Sequence, residues 1–118
     1  MRHPPSIDGY GAGGFRVSGV WRPGSLLILD DTPRDWRPCA LDELEVADFD
    51  PVVEGGVGLC EFVLLGAGTA ARPAPREVRE ALKAAGLGLE VMASDAAARM
   101  HNVLASQGRR FATALIVI

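Results

Sequence analysis

Residues 62–118 contain FVLLGAG (62–68), PREVREALKAAG (75–86), LGLEV (87–91), SDAAARMHNVLASQG (94–108) and FATALIVI (111–118), and these stretches decide the fold. Phe62-Val63-Leu64-Leu65 is a continuous apolar run closed by Gly66-Ala67-Gly68, the pattern of a strand buried on both faces. Pro75 suits a first helical turn. Val78, Ala81, Leu82 and Ala85 then fall at i, i+3, i+4 and i+7, one apolar stripe. Arg76 and Glu80 form an i, i+4 pair on the outer side, and Gly86 is a stop signal. Leu87–Val91 reads as a short strand. Ser94 reads as the N-cap of a second helix, with Asp95 at the end the dipole favours. Met100, Val103 and Leu104 are its expected apolar face, and Gly108 its end. Phe111–Ile118, rich in β-branched residues, is a last strand. The order is β-α-β-α-β.

Upstream, Gly9-Tyr10-Gly11-Ala12-Gly13-Gly14 reads as a loop or bulged strand edge. Phe15-Arg16-Val17-Ser18 alternates apolar and polar, Ser18-Gly19 turns, and Val20-Trp21-Arg22 resumes the alternation, so an N-terminal β-hairpin region is expected. Pro23-Gly24 turns again. Leu26–Leu29 is a second fully buried strand, ended by Asp30-Asp31. Residues 30–60 carry the weakest pattern. Asp35-Trp36-Arg37-Pro38 suits a loop or an edge strand, Leu41, Leu44 and Val46 a strand or a helical turn, and Gly55-Gly56-Val57-Gly58 a loop. The whole predicts an α/β class with helices packed on a mixed central β-sheet. Residues 1–5 are expected to form a flexible arm and 6–118 a single domain.

At 118 residues the chain suits one domain whose core needs no staples. Hydrophobic residues at 48% and charged residues at 23% are ordinary globular usage, which excludes a disordered chain. A net charge of -3 argues against nucleic-acid binding and against attraction to anionic lipid. Two cysteines, Cys39 and Cys60, make no disulfide framework and suit a reducing compartment. Met1-Arg2-His3-Pro4-Pro5 has no apolar run behind it, so no secretory signal is read. No apolar stretch reaches the roughly 18–20 residues that span a bilayer, so no membrane insertion is expected. A cytoplasmic location is expected, and an organelle matrix or stroma gives the same pattern.

Gly66-Ala67-Gly68-Thr69-Ala70-Ala71 fits G-x-G-x-x-A after a buried strand, with Glu90 near the end of the next one, formally a dinucleotide fingerprint. Against it, Arg72-Pro73-Ala74-Pro75 separates the glycines from the helix whose N-terminus would meet the pyrophosphate. Small-molecule or nucleotide binding at this turn and the second helix is therefore the second reading. No phosphate-binding P-loop and no nucleophile elbow is present. His3, His101, Cys39 and Cys60 lack metal-ligand spacing, so no metal and no cofactor is implied. Cys60 reads as a small buried hydrophobe. Asp95, Arg99, Asn102 and Ser106 form one polar stripe. It is either a solvated face or, with Arg109 and the Gly66–Gly68 turn, a polar pocket or partner surface. Tyr10, Trp21 and Trp36 suit rim packing or interface anchors.

These motifs occur in a recognisable order. Ile7-Asp8-Gly9-Tyr10-Gly11 with Phe15 comes first, then Gly24–Leu29 and Phe62–Gly68. Glu90-Val91-Met92 follows, with Ser94, Ala97, Arg99, Asn102, Val103 and Leu104, then Gly108-Arg109 and the apolar tail. In this the chain resembles the family of small domains that includes the adipogenesis-associated domain protein and mitochondrial complex I assembly factor three. The resemblance implies a three-layer fold and a non-enzymatic interaction or assembly role, with another protein as partner. By position it carries over Gly66, Gly68, Met92, Asn102 and Arg109. His101 departs from the larger aromatic expected there, and Gln107 from an expected glutamate. The candidate binding surface is thus Gly66, Gly68, Met92, Ser94, Asp95, Arg99, Asn102 and Arg109, with no catalytic residue assigned.

Overall fold

Three two-residue turns organise the first third of the chain. In the computed structural model, which describes residues 3–118, Ala12-Gly13 joins β1 (Ile7–Gly11) to β2 (Gly14–Val17). Ser18-Gly19 joins β2 to β3 (Val20–Pro23), completing an antiparallel three-stranded sheet. Asp30-Asp31 joins β4 (Ser25–Leu29) to β5 (Thr32–Trp36). All six turn residues have positive φ, from 47° at Ser18 to 86° at Gly13. Tight hairpins need this, because such turns match the right-handed twist of their strands. Asp30-Asp31, read from sequence as a strand ending, is therefore the hinge of a hairpin, its short polar side chains tolerating the left-handed region. Of the two readings for Asp35-Trp36, the edge strand is the one observed.

Residues 37–60 pack as short helical turns at Leu41–Glu43 and Val46–Phe49, leading into α1 (Asp50–Leu59). Gly55-Gly56-Val57-Gly58 is not the plain loop expected. It lies within α1, whose helical backbone breaks at Gly56 (φ 62°, ψ -168°), a conformation that suits glycine. Asp48 anchors the segment. Its carboxylate takes Arg37 Nε at 2.8 Å and Nη2 at 2.7 Å, and also the Glu45 N–H at 2.8 Å. The Arg37 guanidinium holds the Asp48 carboxyl below its ordinary pKa. The Asp48 carbonyl in turn accepts Trp36 Nε1–H at 3.0 Å.

The remaining elements are β6 (Phe62–Gly66), α2 (Arg76–Ala84), β7 (Gly88–Met92), α3 (Ser94–Ser106) and β8 (Phe111–Leu115). The central sheet runs β5-β4-β8-β6-β7. β4 is antiparallel to β5 and β8, and β6 is parallel to β7 and β8. The pleat divides its apolar runs between two cores. Leu27, Leu29, Val63, Leu65, Ala112 and Ala114 face α1 and α2, meeting Phe49, Val52, Val78 and Leu82. Leu26, Ile28, Leu64 and Leu115 face α3 and the three-stranded sheet, meeting Ile7, Phe15, Val17, Ala97 and Ala98. This is a three-layer α/β domain around a mixed sheet. Each fully buried aliphatic contributes about 1.5–3 kcal/mol.

The helix α3 lies the other way round from its sequence reading. Its buried residues are Ser94, Ala97, Ala98 and His101, whereas Met100 and Val103 are exposed and Leu104 is half-buried. Small alanines let the helix axis approach the sheet, and hydrogen bonds satisfy the polar pair. The Pro5 carbonyl can only accept, so His101 Nε2 carries the proton to it at 2.8 Å. Nδ1 then accepts from the buried Thr113 hydroxyl at 2.7 Å. Of the arm expected over residues 1–5, Met1 and Arg2 lie outside the described residues, while Pro5 is buried under this bond. Asn102 clasps β1 beside it, accepting the Ile7 N–H at 2.8 Å and donating to the Ile7 carbonyl at 2.9 Å.

Burial lowers the His101 pKa from 6.5, against the opposing pull of the Pro5 carbonyl and Asp31. The folded chain therefore prefers the neutral ring. Above the unfolded value of about 6.5 both states are neutral and stability is full. As pH falls below it, the unfolded chain takes up the proton first and stability is lost, down to the lowered folded pKa. Urea midpoints measured from pH 7.5 to 5 should fall in this window for the wild type and stay nearly flat for His101→Gln.

Candidate functional site

Gly66 lies where α3 meets the sheet. A Cβ there would stand 2.8 Å from the Cα and Oγ of Ser94 and from Leu115 Cδ2, so only glycine permits the approach. Ser94 is not the N-cap expected. Ala93 caps the helix, and Ser94 is its first helical residue, fully buried. Its hydroxyl accepts the Gly68 N–H at 2.9 Å and donates to the Ile116 carbonyl at 2.7 Å. Its own N–H goes to the Gly68 carbonyl at 2.8 Å. Ala67 N–H to Met92 O (2.8 Å) and Ile116 N–H to Gly66 O (2.9 Å) complete the junction. The Gly66–Gly68 turn is thus buried and saturated by protein partners. The helix that a dinucleotide fingerprint should open begins only at Arg76. Gly66, Gly68 and Ser94 form a staple rather than a ligand cradle.

The polar stripe of α3 divides its work. Asp95 and Arg99 form an exposed pair at 4.0 Å, of the kind that contributes a few tenths of a kcal/mol. Arg99 Nη1 donates to the Tyr10 hydroxyl at 2.7 Å, tying α3 to β1. Asn102 is occupied by Ile7, and the Ser106 hydroxyl turns back to the Val103 carbonyl at 2.7 Å. These four residues do not converge on one pocket. Trp36 is core, edge-on to Phe49, whereas Trp21 is exposed and its ring lies over Gly14.

Met92 and Arg109 do come together. Packed chiefly on β6, α3 leaves the edge strand β7 half-covered on this face. A cleft of about 340 Å³ opens between them. Phe62, Leu64, Met92, Met100 and Leu104 supply its apolar lining, with Glu90 and Arg109 as its charged residues. The Arg109 guanidinium lies 5.1 Å over the Phe62 ring and 3.9 Å from Glu61. Phe62 in turn stacks on Phe111 at 5.5 Å. Sequence reasoning missed Phe62, Met100 and Glu90 as cleft residues. Phe62 and Met100 carry ordinary core signals, and Glu90 stood out through the fingerprint that the turn does not build and as part of the Glu90-Val91-Met92 motif, neither of which marks a cleft.

The cleft offers an apolar surface between opposite charges. Neither Cys60 nor His101 lies in it. Burial raises the Cys60 thiol pKa, opposed by the Ala112 backbone, and a thiol so shifted is a poor nucleophile at neutral pH. His101 is engaged on both ring nitrogens. Among the described residues no group of three His, Cys, Asp or Glu could hold a metal ion.

The chain belongs to the family described as protein of unknown function (DUF498/DUF598), whose model matches residues 7–116. An uncharacterised protein of Rhodobacter capsulatus is 34% identical over 110 residues, covering 93% of this chain and 82% of that protein. Among solved structures, one described as an outer membrane protein from Bartonella henselae is 29% identical, with a TM-score of 0.88 over 97% of this chain and 95% of that one. A Bordetella pertussis protein described as a Mth938-like domain superposes with a TM-score of 0.79 at 22% identity, over 98% and 90% of the two chains, a likeness of fold. Within the described residues no helix is long and apolar enough to cross a membrane.

The staple makes a direct stability prediction. Ser94→Ala strands the Gly68 N–H and the Ile116 carbonyl without their side-chain partner and should cost about 1–3 kcal/mol. Gly66→Ala, which forces α3 off the sheet, should cost a similar amount by overpacking. Urea denaturation reads both. Wild-type stability in Ser94→Ala would show that the junction holds without the hydroxyl.

Proposed function

We propose that this domain binds another protein, as a non-enzymatic interaction or assembly factor, through the cleft between α3 and β7. The observation that carries this reading is an apolar lining between two opposite charges. Met92 and Met100 are flexible, polarisable contacts of the kind used by adaptable binding surfaces. Arg109 on Phe62 pairs the two residue classes, Arg and aromatic, that anchor interfaces. The exposed Val103, one turn along α3 from Met100, extends the apolar surface beyond the cleft. Likeness to the small-domain family with the adipogenesis-associated domain protein and complex I assembly factor three, whose members of known role act in assembly, supports the same reading. A cytoplasmic setting is part of the proposal, supported by two unpaired thiols.

The test starts from the wild-type domain immobilised as bait, beside Met100→Asp and Arg109→Ala. All three are first shown to melt cooperatively at similar temperatures. Any protein retained by the wild type is then purified and titrated against each by calorimetry. Met100→Asp should weaken binding at least about tenfold, the ordinary cost of a charge in an apolar contact. Arg109→Ala should weaken it less, since a rim charge is partly screened. A partner that binds all three equally refutes the cleft as the surface.

A further inference from the structure

The two edges of the central sheet are built differently. β5 carries Pro33 as its second residue, followed by Arg34 and Asp35, and a proline with charges is how an edge strand resists further pairing. β7, Gly88-Leu89-Glu90-Val91-Met92, has no proline and one charge. In its parallel ladder with β6, Gly88 N–H goes to the Glu61 carbonyl and the Met92 carbonyl takes Ala67 N–H. Gly88, Glu90 and Met92 therefore turn their backbone groups toward β6, and Leu89 and Val91 turn theirs outward. Among the described residues nothing pairs with that outer side.

We infer that the partner reaches the cleft as an extended strand added to the outer edge of β7, a deepening that rests on the protein-binding reading above. An antiparallel segment opposite β7 exchanges four backbone hydrogen bonds with Leu89 and Val91. Its side chains alternate between faces. Those opposite Leu89 and Val91 lie on the α2 side, where both residues are half-buried and pack against the core. Those opposite Met92, Glu90 and Gly88 lie on the cleft side. There the chemistry is graded along the strand. Met92 asks for an apolar residue and Glu90 for a basic one. Gly88 is level with Phe62, under the Arg109 guanidinium, and asks for an acidic one.

In full register this charge order disfavours a second copy of the same chain. Two β7 strands paired antiparallel about a two-fold axis in full register would place Gly88 opposite Met92, Leu89 opposite Val91 and Glu90 opposite Glu90. Like charges directly opposed across a sheet are destabilising. The occupant is a segment of a different protein, reading apolar, apolar, basic, apolar, acidic from its N-terminal end.

The probe is a labelled synthetic peptide with leucine, valine, lysine, valine and aspartate in that order between threonines, added to the ¹⁵N-labelled domain. Amide exchange at Leu89 and Val91 should slow at least about tenfold on saturation, the protection two new backbone hydrogen bonds confer. Gly88, Glu90 and Met92 should change little. Val91→Pro removes an outward donor without touching the β6 ladder and should weaken binding at least about tenfold. Leu89→Pro serves in the same way where Val91→Pro melts early. Glu90→Lys should favour a peptide with aspartate in place of its lysine. Shifts at Met92 and Met100 with unchanged exchange at Leu89 and Val91 would overturn strand addition and leave the cleft standing. No response to the peptide anywhere overturns strand addition too. A captured partner weakened by Met100→Asp but not by Val91→Pro does the same, and one weakened by neither removes both readings.

Discussion

The Ser94 hydroxyl sits where β6, β8 and α3 meet, and the rest of the architecture follows from that meeting. One oxygen accepts from the Gly68 backbone and donates to the Ile116 carbonyl. It can do so only because Gly66 has no side chain to hold α3 away. The helix is thereby landed on β6 rather than on β7. Ala97 and Ala98, one turn further along, keep it close to the sheet. A helix landed there covers β6 and β8 and leaves β7 half-covered. The cleft is a geometric consequence of the staple, and its lining is whatever β6, β7 and the flank of α3 present to each other.

The same landing explains why α3 contradicts its own apolar pattern. An amphipathic helix normally buries its largest aliphatics. Here the inward positions go to two alanines, a serine and a histidine, and the polar pair is satisfied within the fold. His101 takes Thr113 and Pro5, and Asn102 beside it takes both backbone groups of Ile7. These bonds fasten the start of β1 and the residues before it to α3 across the whole chain. Met100, Val103 and Leu104 are pushed to the flank. A helix that buries polar groups with full hydrogen bonding and exposes methionine and valine has inverted the usual economy of the core. That inversion is what leaves apolar side chains on the flank of α3 beside the cleft.

The strands and helices with uniform local signals were legible. β4 and β6 are unbroken apolar runs because both their faces are covered, and α2 carries a clean stripe between Pro75 and Gly86. The failures are long-range. Ser94 looks like a cap because serine before alanines is a local helix-start signal, while its real partners are Gly68 and Ile116. Asn102 looks like part of a solvated stripe because its partner, Ile7, lies at the other end of the chain. Asp30-Asp31 closes a hairpin without glycine, so the usual turn signal is missing. Of the eight candidate surface residues, Met92 and Arg109 reach the cleft. Gly66, Gly68, Ser94 and Asn102 are held by internal bonds, and Asp95 and Arg99 lie on the exposed face toward Tyr10.

Internal accounting of polar groups then narrows where recognition can occur. Trp36, Arg37 and Asp48 close the segment after β5 on itself. Ser25 is buried and its hydroxyl takes the Val117 N–H. Each of these groups is conspicuous in sequence and committed to the fold. Charge also lines the cleft side of β7. Glu90 extends from an edge strand, and Arg109 spreads its guanidinium over an aromatic ring, an arrangement that keeps a cation oriented at an apolar surface. Opposite charges set apart along the cleft define a direction as well as a sign. A surface with a direction discriminates between a segment and its reverse, which a purely apolar groove cannot do.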